Sequence, residues 1–181
     1  LLLLASFQLA EYQICGNREP FFWSRFGLVA ITFLPVLGLY LVSLVSHKRH
    51  FLRLGYTIAG AALLAIVVIP RDMVDSQCAG NYVTFTGPAH FFHLYSIYYF
   101  GFLLLGIWES IEAMREQRSN TLRSVLRWLV IGDLSFMLPM AVVFAIYPPA
   151  RLAIASIMCG FALSLAFILA FRSEEHTSEF Q

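Results

Sequence analysis

One acidic residue, Asp133, lies well inside an apolar stretch of the sequence, VIGDLSF. It follows Arg127 by two helical turns, which places it about 9 Å deeper along a helix. A charge inside a bilayer is costly, so such a residue is by default a functional site, through a proton or a polar contact that differs between two states. The alternative, equally favoured by the sequence, is a structural hydrogen bond to a hydroxyl such as that of Ser135 or Tyr40.

A pair of histidines, His90 and His93, lies in GPAHFFH at i,i+3 spacing, on one face of a predicted helix. Zinc sites use three or four protein ligands, which this pair does not supply. The histidines are better explained as part of an aromatic belt at the membrane interface. We therefore expect no metal and no cofactor here. The belt comprises Phe91, Phe92, Tyr95, Tyr98 and Tyr99.

The sequence has three cysteines, too few for a disulfide framework. Cys15 and Cys78 both fall on the predicted outer side, where a disulfide persists. A bridge would tie the long outer loop to the end of the first span, provided that the Cα atoms lie about 4.4 to 6.8 Å apart, which the sequence leaves open. Cys159 is predicted to be a small packing residue inside the last span.

Small residues recur at four-residue spacing in the last apolar segment, at Ser156, Gly160 and Ser164. Such spacing lets helices approach closely, either across a dimer face or in ordinary packing within the chain, and the second is favoured. No P-loop, H-E-x-x-H, G-x-S-x-G or histidine-box motif is present in the sequence. We therefore expect no enzymatic activity from this chain.

The composition excludes a soluble protein. Of the 181 residues, 59% are apolar, 15% aromatic and 13% charged, and the mean hydropathy is +0.73. A soluble domain is about 45 to 50% apolar and about 25% charged. Disordered, collagen-like and disulfide-scaffold classes are excluded as well. The formal charge of +1 provides no basic surface for nucleic acid.

Short polar runs separate six apolar segments, each close to the 20 or so residues that a membrane span needs. Because hydrocarbon offers the backbone no hydrogen-bond partner, all must be helices. Pro35 and Pro139 are expected to kink the second and fifth. The predicted fold class is thus all-α, a polytopic transmembrane helix bundle in one domain over 1–172. The predicted spans are 1–15, 26–46, 54–70, 92–111, 125–147 and 152–171.

The connections between spans differ in charge and in local pattern. Seven Lys and Arg follow spans two and four, against four after spans one, three and five, so the positive-inside rule places the C-terminus in the cytoplasm. In the long outer loop, 71–90, YVTFT after a turn signal predicts a small hairpin. In the inner linker, helical charge spacing extends span four, and Ser119 or Asn120 is expected to cap the next helix.

Both ends of the sequence look incomplete. The opening LLLLASFQLA has neither the basic flank nor the cleavage site of a signal peptide, so it is interpreted as part of a span. The last ten residues, RSEEHTSEFQ, resemble a translated sequencing adapter, and we treat 173–181 as an artefactual tail. We expect a fragment with six spans visible out of seven.

The order of features resembles the N-terminal seven-helix sensor region of bacterial histidine kinases, which related signal transducers also carry. The resemblance rests on NREPFFWSRFG leading into FGLVAITFLPVLGLYLVS, on a span opening with HFFHLYSIYYFG, and on RWLVIGDLSFMLP after an Arg-rich linker. It covers 1–171 and implies a C-terminus inside the cell, as the cation count does. No phosphoacceptor helix, ATP-binding domain or cyclase domain is present in the sequence.

The resemblance implies a sensory input region in the bacterial inner membrane, with a homodimer as the signalling form and an unknown small molecule or membrane state as the stimulus. The expected sensing surface comprises the 71–90 loop, His90, His93, Tyr95 and Asp133. The alternative is a small transporter or membrane-embedded enzyme using Asp133 and Glu109. Glu109 supports it poorly, because its position near the inner end of span four lets it reach interfacial water.

Overall fold

The computed structural model describes residues 2–16, 19–46, 51–68, 75–79, 82–147 and 157, apart from the side chains of residues 136 and 144. The predicted last span, with Ser156, Cys159, Gly160 and Ser164, and the tail 173–181 therefore lie outside the described residues, Ile157 excepted. The elements are α1 (Leu2–Cys15), α2 (Pro20–Thr32), α3 (Leu34–Ser46), α4 (Leu52–Val68), β1 (Asp75–Cys78), β2 (Val83–Thr86), α5 (Ala89–Glu116) and α6 (Asn120–Ile146).

The described chain is mostly helical, and three helical segments are long and apolar enough to cross a membrane. They are Pro20–Ser46, with a mean hydropathy of 2.4, Ala89–Glu116, with 1.4, and Asn120–Val143, with 1.6. Helix α4 is also apolar but has 17 residues, and α1 has 14. The all-α class therefore fits, with a small hairpin added, while the count of six spans stays a prediction.

The second predicted span begins earlier than expected. Helix α2 starts at Pro20 rather than at residue 26, because proline at the first helical position has its φ preset and lacks only a donor that would be unpaired there. The chain turns into α2 at Glu19, whose φ of 43° lies in the left-handed region. Residue 33 interrupts the helix between α2 and α3, shortly before Pro35, where a kink was predicted; we call this interruption the helix break.

The connection between α5 and α6, predicted as an inner linker, agrees closely with the predicted helix bounds. Helix α5 continues to Glu116, so span four does extend past residue 111. Ser119 is the N-cap residue of α6, but its side chain makes no capping hydrogen bond, so the prediction is correct in position only. Helix α6 continues through Pro139 to Ile146.

The predicted hairpin is confirmed. Strands β1 and β2 pair antiparallel, with Asp75 opposite Thr86 and Cys78 opposite Val83. Alternation along β2 buries Val83 and Phe85, which are 0% and 4% exposed. Their side chains join the main hydrophobic cluster of the helices, so one face of the hairpin is part of the core.

Two close approaches fix the helix packing. A Cβ at Gly27 would lie 3.3 Å from the Cβ of Ala10 and 3.3 Å from Cδ2 of Phe7, so α1 and α2 pack at van der Waals distance because residue 27 has no side chain. A Cβ at Gly55 would meet Phe102 of α5 at 3.2 Å and Val36 of α3 at 3.4 Å. Helices α3, α4 and α5 therefore meet at Gly55.

Candidate functional site

The break between α2 and α3 is one of the places where the described structure buries a polar residue. Pro35 has no N–H to donate to the Ile31 carbonyl, and the N–H of Phe33 donates to that carbonyl instead. Thr32, immediately before the break, is fully buried. Its hydroxyl donates to the Leu28 carbonyl at 2.7 Å. At the break, the hydroxyl oxygen and the carbonyl oxygen of Thr32 can therefore both be contacted by a neighbouring helix.

Two tyrosines of α5 contact Thr32. The Tyr98 hydroxyl donates to the Thr32 carbonyl at 2.5 Å, and the Tyr95 hydroxyl lies 3.1 Å from Oγ1 of Thr32. We call Thr32, Tyr95 and Tyr98 the hydroxyl cluster. The hydroxyl cluster joins the helix break after Thr32 to helix α5. A buried polar network of this kind specifies one arrangement of the helices when all of its groups are hydrogen-bonded.

The tyrosines belong to a column of aromatic rings along α5. The ring of Tyr95 stacks on Phe91 with centroids 6.2 Å apart and lies 5.9 Å from the ring of Tyr98. Tyr98 in turn contacts Phe102 at 5.3 Å, and Phe102 is the residue that meets Gly55. The column therefore continues from the start of α5 past the hydroxyl cluster to the meeting point of α3, α4 and α5.

Three contacts attach the β1–β2 hairpin to helices α1 and α2. Cys15 at the end of α1 forms a disulfide with Cys78 of β1, with Cα atoms 5.1 Å apart. The hydroxyls of Ser24 in α2 and Ser76 in β1 share a hydrogen bond. The ring of Phe85 lies 6.4 Å from that of Phe7 in α1. We call the hairpin with these contacts the hairpin cap.

An arginine supports the same end of the bundle. Arg25 of α2 donates from Nη1 to the carbonyl of Val67 at 2.6 Å, next to the last residue of α4. A cation suits the C-terminal end of a helix, where backbone carbonyls lack internal donors. The guanidinium also lies 4.1 Å from the ring centroid of Phe21. The hydrogen bond to Val67 connects α2 to the end of α4, whereas the contact with Phe21 lies within α2.

The structure brings together only part of the predicted sensing surface. Tyr95 belongs to the hydroxyl cluster. His90 and His93 are exposed in the first turns of α5, and within the described residues no group of three or more metal-type side chains converges. Asp133 lies partly buried on α6, and Ser135, offered as its partner, donates to the Gly132 carbonyl of its own helix at 2.8 Å. Tyr40 is 40% exposed.

Glu109 is more buried than its position in the sequence suggested. Its side chain, expected to reach interfacial water, is 7% exposed, because α5 continues two turns beyond it and places it on the same stripe as Phe102, Gly106 and Ala113. Since a short connection about residue 118 joins α5 to α6, we expect Glu109 to lie level with residue 127, and Asp133 about 9 Å further along α6. The two acids are thus at different depths.

Sequence reasoning missed several polar residues that form hydrogen bonds between elements. Thr32 and Ser24 are hydroxyls within apolar segments, and Tyr98 was assigned only to an interfacial belt. The available signals were Thr32 three residues before Pro35, and the recurrence of aromatic residues at 91, 95, 98 and 102. The first marks a helix break with exposed backbone groups, and the second marks one helical face.

Comparison with known proteins adds no constraint. No family model, no curated protein and no solved structure matches the chain.

Proposed function

We propose that this chain is the sensory input region of a bacterial signal-transduction protein in the inner membrane, with its C-terminal end in the cytoplasm. The observation that carries the proposal is the hydroxyl cluster. It couples the helix break after Thr32 to α5. The hairpin cap is bonded to α1 and to α2, the helix that ends at this break. A break held by hydrogen bonds from another helix is an element that can adopt two packings.

The proposed mechanism begins at the hairpin cap. A stimulus that binds one arrangement of the cap more tightly than another shifts the population of the two arrangements. Because β1 is tied to α1 through Cys15 and to α2 through Ser24, movement of the cap displaces the upper half of the broken span. Tyr95 and Tyr98 then transmit the displacement to α5 as a small helix shift, which is a common form of switching transition.

The exposed surface supports the membrane as a partner. Large apolar side chains of α5 remain exposed at 57% or more along one seam, at Leu94, Ile97, Leu104 and Trp108. In water such a seam would be unfavourable, whereas lipid tails solvate it. The same seam is open to a second copy of the chain. His90 and His93, exposed beside the cap, would be accessible to a small-molecule ligand.

The proposal is tested in an intact copy of the gene. Heptads followed by a phosphoacceptor histidine and nucleotide-binding motifs downstream of residue 171 would support a histidine kinase. A stop codon shortly after that position would contradict the proposal and favour a transporter.

In an intact kinase, Tyr98→Phe should change the ratio of stimulated to basal phosphorylation, whereas Tyr40→Phe, at an exposed site, should not. A reporter fused after Phe171 should behave as cytoplasmic, and a periplasmic reporter would contradict the orientation.

A further inference from the structure

The end of α5 and the start of α6 carry a concentration of exposed positive charge. Helix α5 starts three residues after β2 and ends at Glu116, about 40 Å further along, so this end lies far from the hairpin cap. Four arginines accompany two glutamates, Glu112 and Glu116, between residues 112 and 127, which gives this segment a formal charge of +2. All four arginines are exposed, and we call them the arginine patch: Arg115, Arg118, Arg123 and Arg127.

Two contacts hold together the two helices that carry the arginine patch. Nε of Arg123 on α6 donates to the carbonyl of Met114 on α5 at 3.1 Å. Ala113 of α5 and Leu126 of α6 belong to one buried hydrophobic cluster. The guanidinium of Arg123 therefore lies beside the residue that precedes Arg115. A guanidinium has five N–H donors, so this bond leaves four for a further partner.

Two tryptophans indicate where these helices meet the membrane interface. Trp108 lies six residues before Met114 on α5, and Trp128 lies five residues after Arg123 on α6. Because Met114 and Arg123 are in contact, the two tryptophans lie at about the same level. Tryptophan concentrates at membrane interfaces, and Trp108 is 66% exposed. An interface at this level leaves the arginine patch at the interface or on its polar side.

The arginines lie at graded distances from this level. Arg127 is adjacent to Trp128. Arg123 and Arg115 lie five and seven residues from the tryptophan of their own helix, which corresponds to about 8 and 10 Å. The headgroup layer on each side of a bilayer is about 5 to 8 Å thick, and arginine side chains extend so that their charged ends reach polar surroundings. Arg118, in the connection between the helices, lies further out and acts on headgroups through its electric field, which extends about 8 Å at physiological salt.

We propose that the arginine patch binds the headgroups of anionic phospholipids. A guanidinium matches the oxygens of a phosphate with two parallel hydrogen bonds. In a zwitterionic lipid an attached ammonium group offsets the phosphate, whereas an anionic lipid keeps a net negative charge that complements the patch. Each basic residue near an anionic membrane surface contributes about fivefold in affinity. Headgroup binding would fix the depth of α5 and α6 in the bilayer.

Headgroup binding rests on the membrane location in the proposed function and not on a sensory role. It does not depend on Lys48 and Arg49, which follow α3 in the sequence and lie outside the described residues. Arginines at this end also orient the chain by the positive-inside rule. That rule acts during insertion and predicts no lipid preference in the folded protein, so the two roles of the arginines can be separated by experiment.

The test is quenching of tryptophan fluorescence by lipids with brominated acyl chains, in the full chain reconstituted into vesicles. Trp23→Phe removes the tryptophan of α2, so that Trp108 and Trp128 report on lipids near the arginine patch. Competition of brominated phosphatidylglycerol or brominated phosphatidylcholine with unbrominated phosphatidylcholine gives their relative affinities. With two arginines at headgroup level, we expect phosphatidylglycerol to be preferred by about 25-fold at low ionic strength. The preference should fall as salt is added.

Single substitutions identify which arginines carry the preference. Arg115→Gln and Arg123→Gln should each lower it about fivefold, and Arg118→Gln should lower it less, because residue 118 lies further from the lipid. Arg115→Gln carries the test if Arg123→Gln, which also loses the bond to Met114, does not accumulate. Arg53→Gln, the same change at an exposed arginine of α4, should leave the preference unchanged.

Three outcomes would overturn the proposal. Equal quenching by the two brominated lipids, or a preference that persists in Arg115→Gln, would show that the patch does not select anionic headgroups. A preference that millimolar inorganic phosphate abolishes at constant ionic strength would show that the patch takes soluble anions instead. Absence of quenching by either lipid would contradict the membrane location as well, whereas the other outcomes contradict headgroup binding alone.

Discussion

The hydroxyl of Tyr98 donates to the carbonyl oxygen of Thr32 at 2.5 Å, between residues 66 positions apart in the chain. The acceptor is available because α2 ends at Thr32, three residues before a proline that cannot continue the backbone pattern. The donor is placed by α5, whose aromatic column fixes the ring of Tyr98 between Tyr95 and Phe102. A local defect in one segment is thus stabilised by a side chain of a distant one.

Removing this hydrogen bond should weaken the fold without creating a large cavity. We expect Tyr98→Phe to lower the free energy of unfolding by about 0.6 kcal/mol, the average for interhelical hydrogen bonds in a membrane protein, and by about 1.7 kcal/mol at most. Tyr40→Phe, which removes a hydroxyl from a residue that is 40% exposed, should have little effect. Unfolding of both variants by detergent titration in mixed micelles measures the difference. Equal stabilities would show that the bond contributes nothing.

The sequence was sufficient to predict those elements whose pattern lies within one short stretch of residues. Continuous apolar runs marked the long helices, and the β-branched and aromatic pattern of YVTFT with a turn before it marked the hairpin. It was insufficient where the outcome depends on how elements align. Whether Glu109 reaches water depends on how far α5 continues and which face packs on α3, and the partner of Thr32 depends on the relative depth of two helices. Neither quantity is encoded in a stretch of ten or twenty residues.

The disulfide should make a large contribution to stability. Cys15 and Cys78 enclose a loop with a sequence separation of 63, and the loss of chain entropy in the unfolded state corresponds to about 4 kcal/mol. Cys15→Ser should therefore lower the Tm and abolish the mobility change that a reductant causes on a denaturing gel. Cys159→Ser should preserve both properties. If reductant alters neither mobility nor Tm in the unmodified chain, the bond does not form.

Close packing of α1 on α2 should be sensitive to side-chain volume at Gly27. Valine there would place methyl groups against Ala10 and Phe7, which a Cβ alone already approaches at 3.3 Å. We expect Gly27→Val to cost about 1 to 3 kcal/mol, as overpacked sites do. Gly101→Val is the matched control, because a Cβ at Gly101 has nothing within 4 Å. Thermal unfolding in detergent compares the two, and a Gly27→Val protein as stable as Gly101→Val would contradict the observed packing.

A substitution on the exposed apolar seam of α5 tests whether lipid or water surrounds this helix. Leu104 lies mid-helix and is 57% exposed, so in water its replacement by arginine would be nearly neutral. In a bilayer the same change costs about 3 to 4 kcal/mol near the centre of a span, because leucine is favourable there and arginine is unfavourable. We expect Leu104→Arg to reduce the fraction of α5 inserted in a membrane-insertion assay. Glu116→Arg, at the end of the helix, should insert normally. Equal insertion of the two variants would mean that Leu104 does not face hydrocarbon, and the assignment of α5 as a membrane span would then fail.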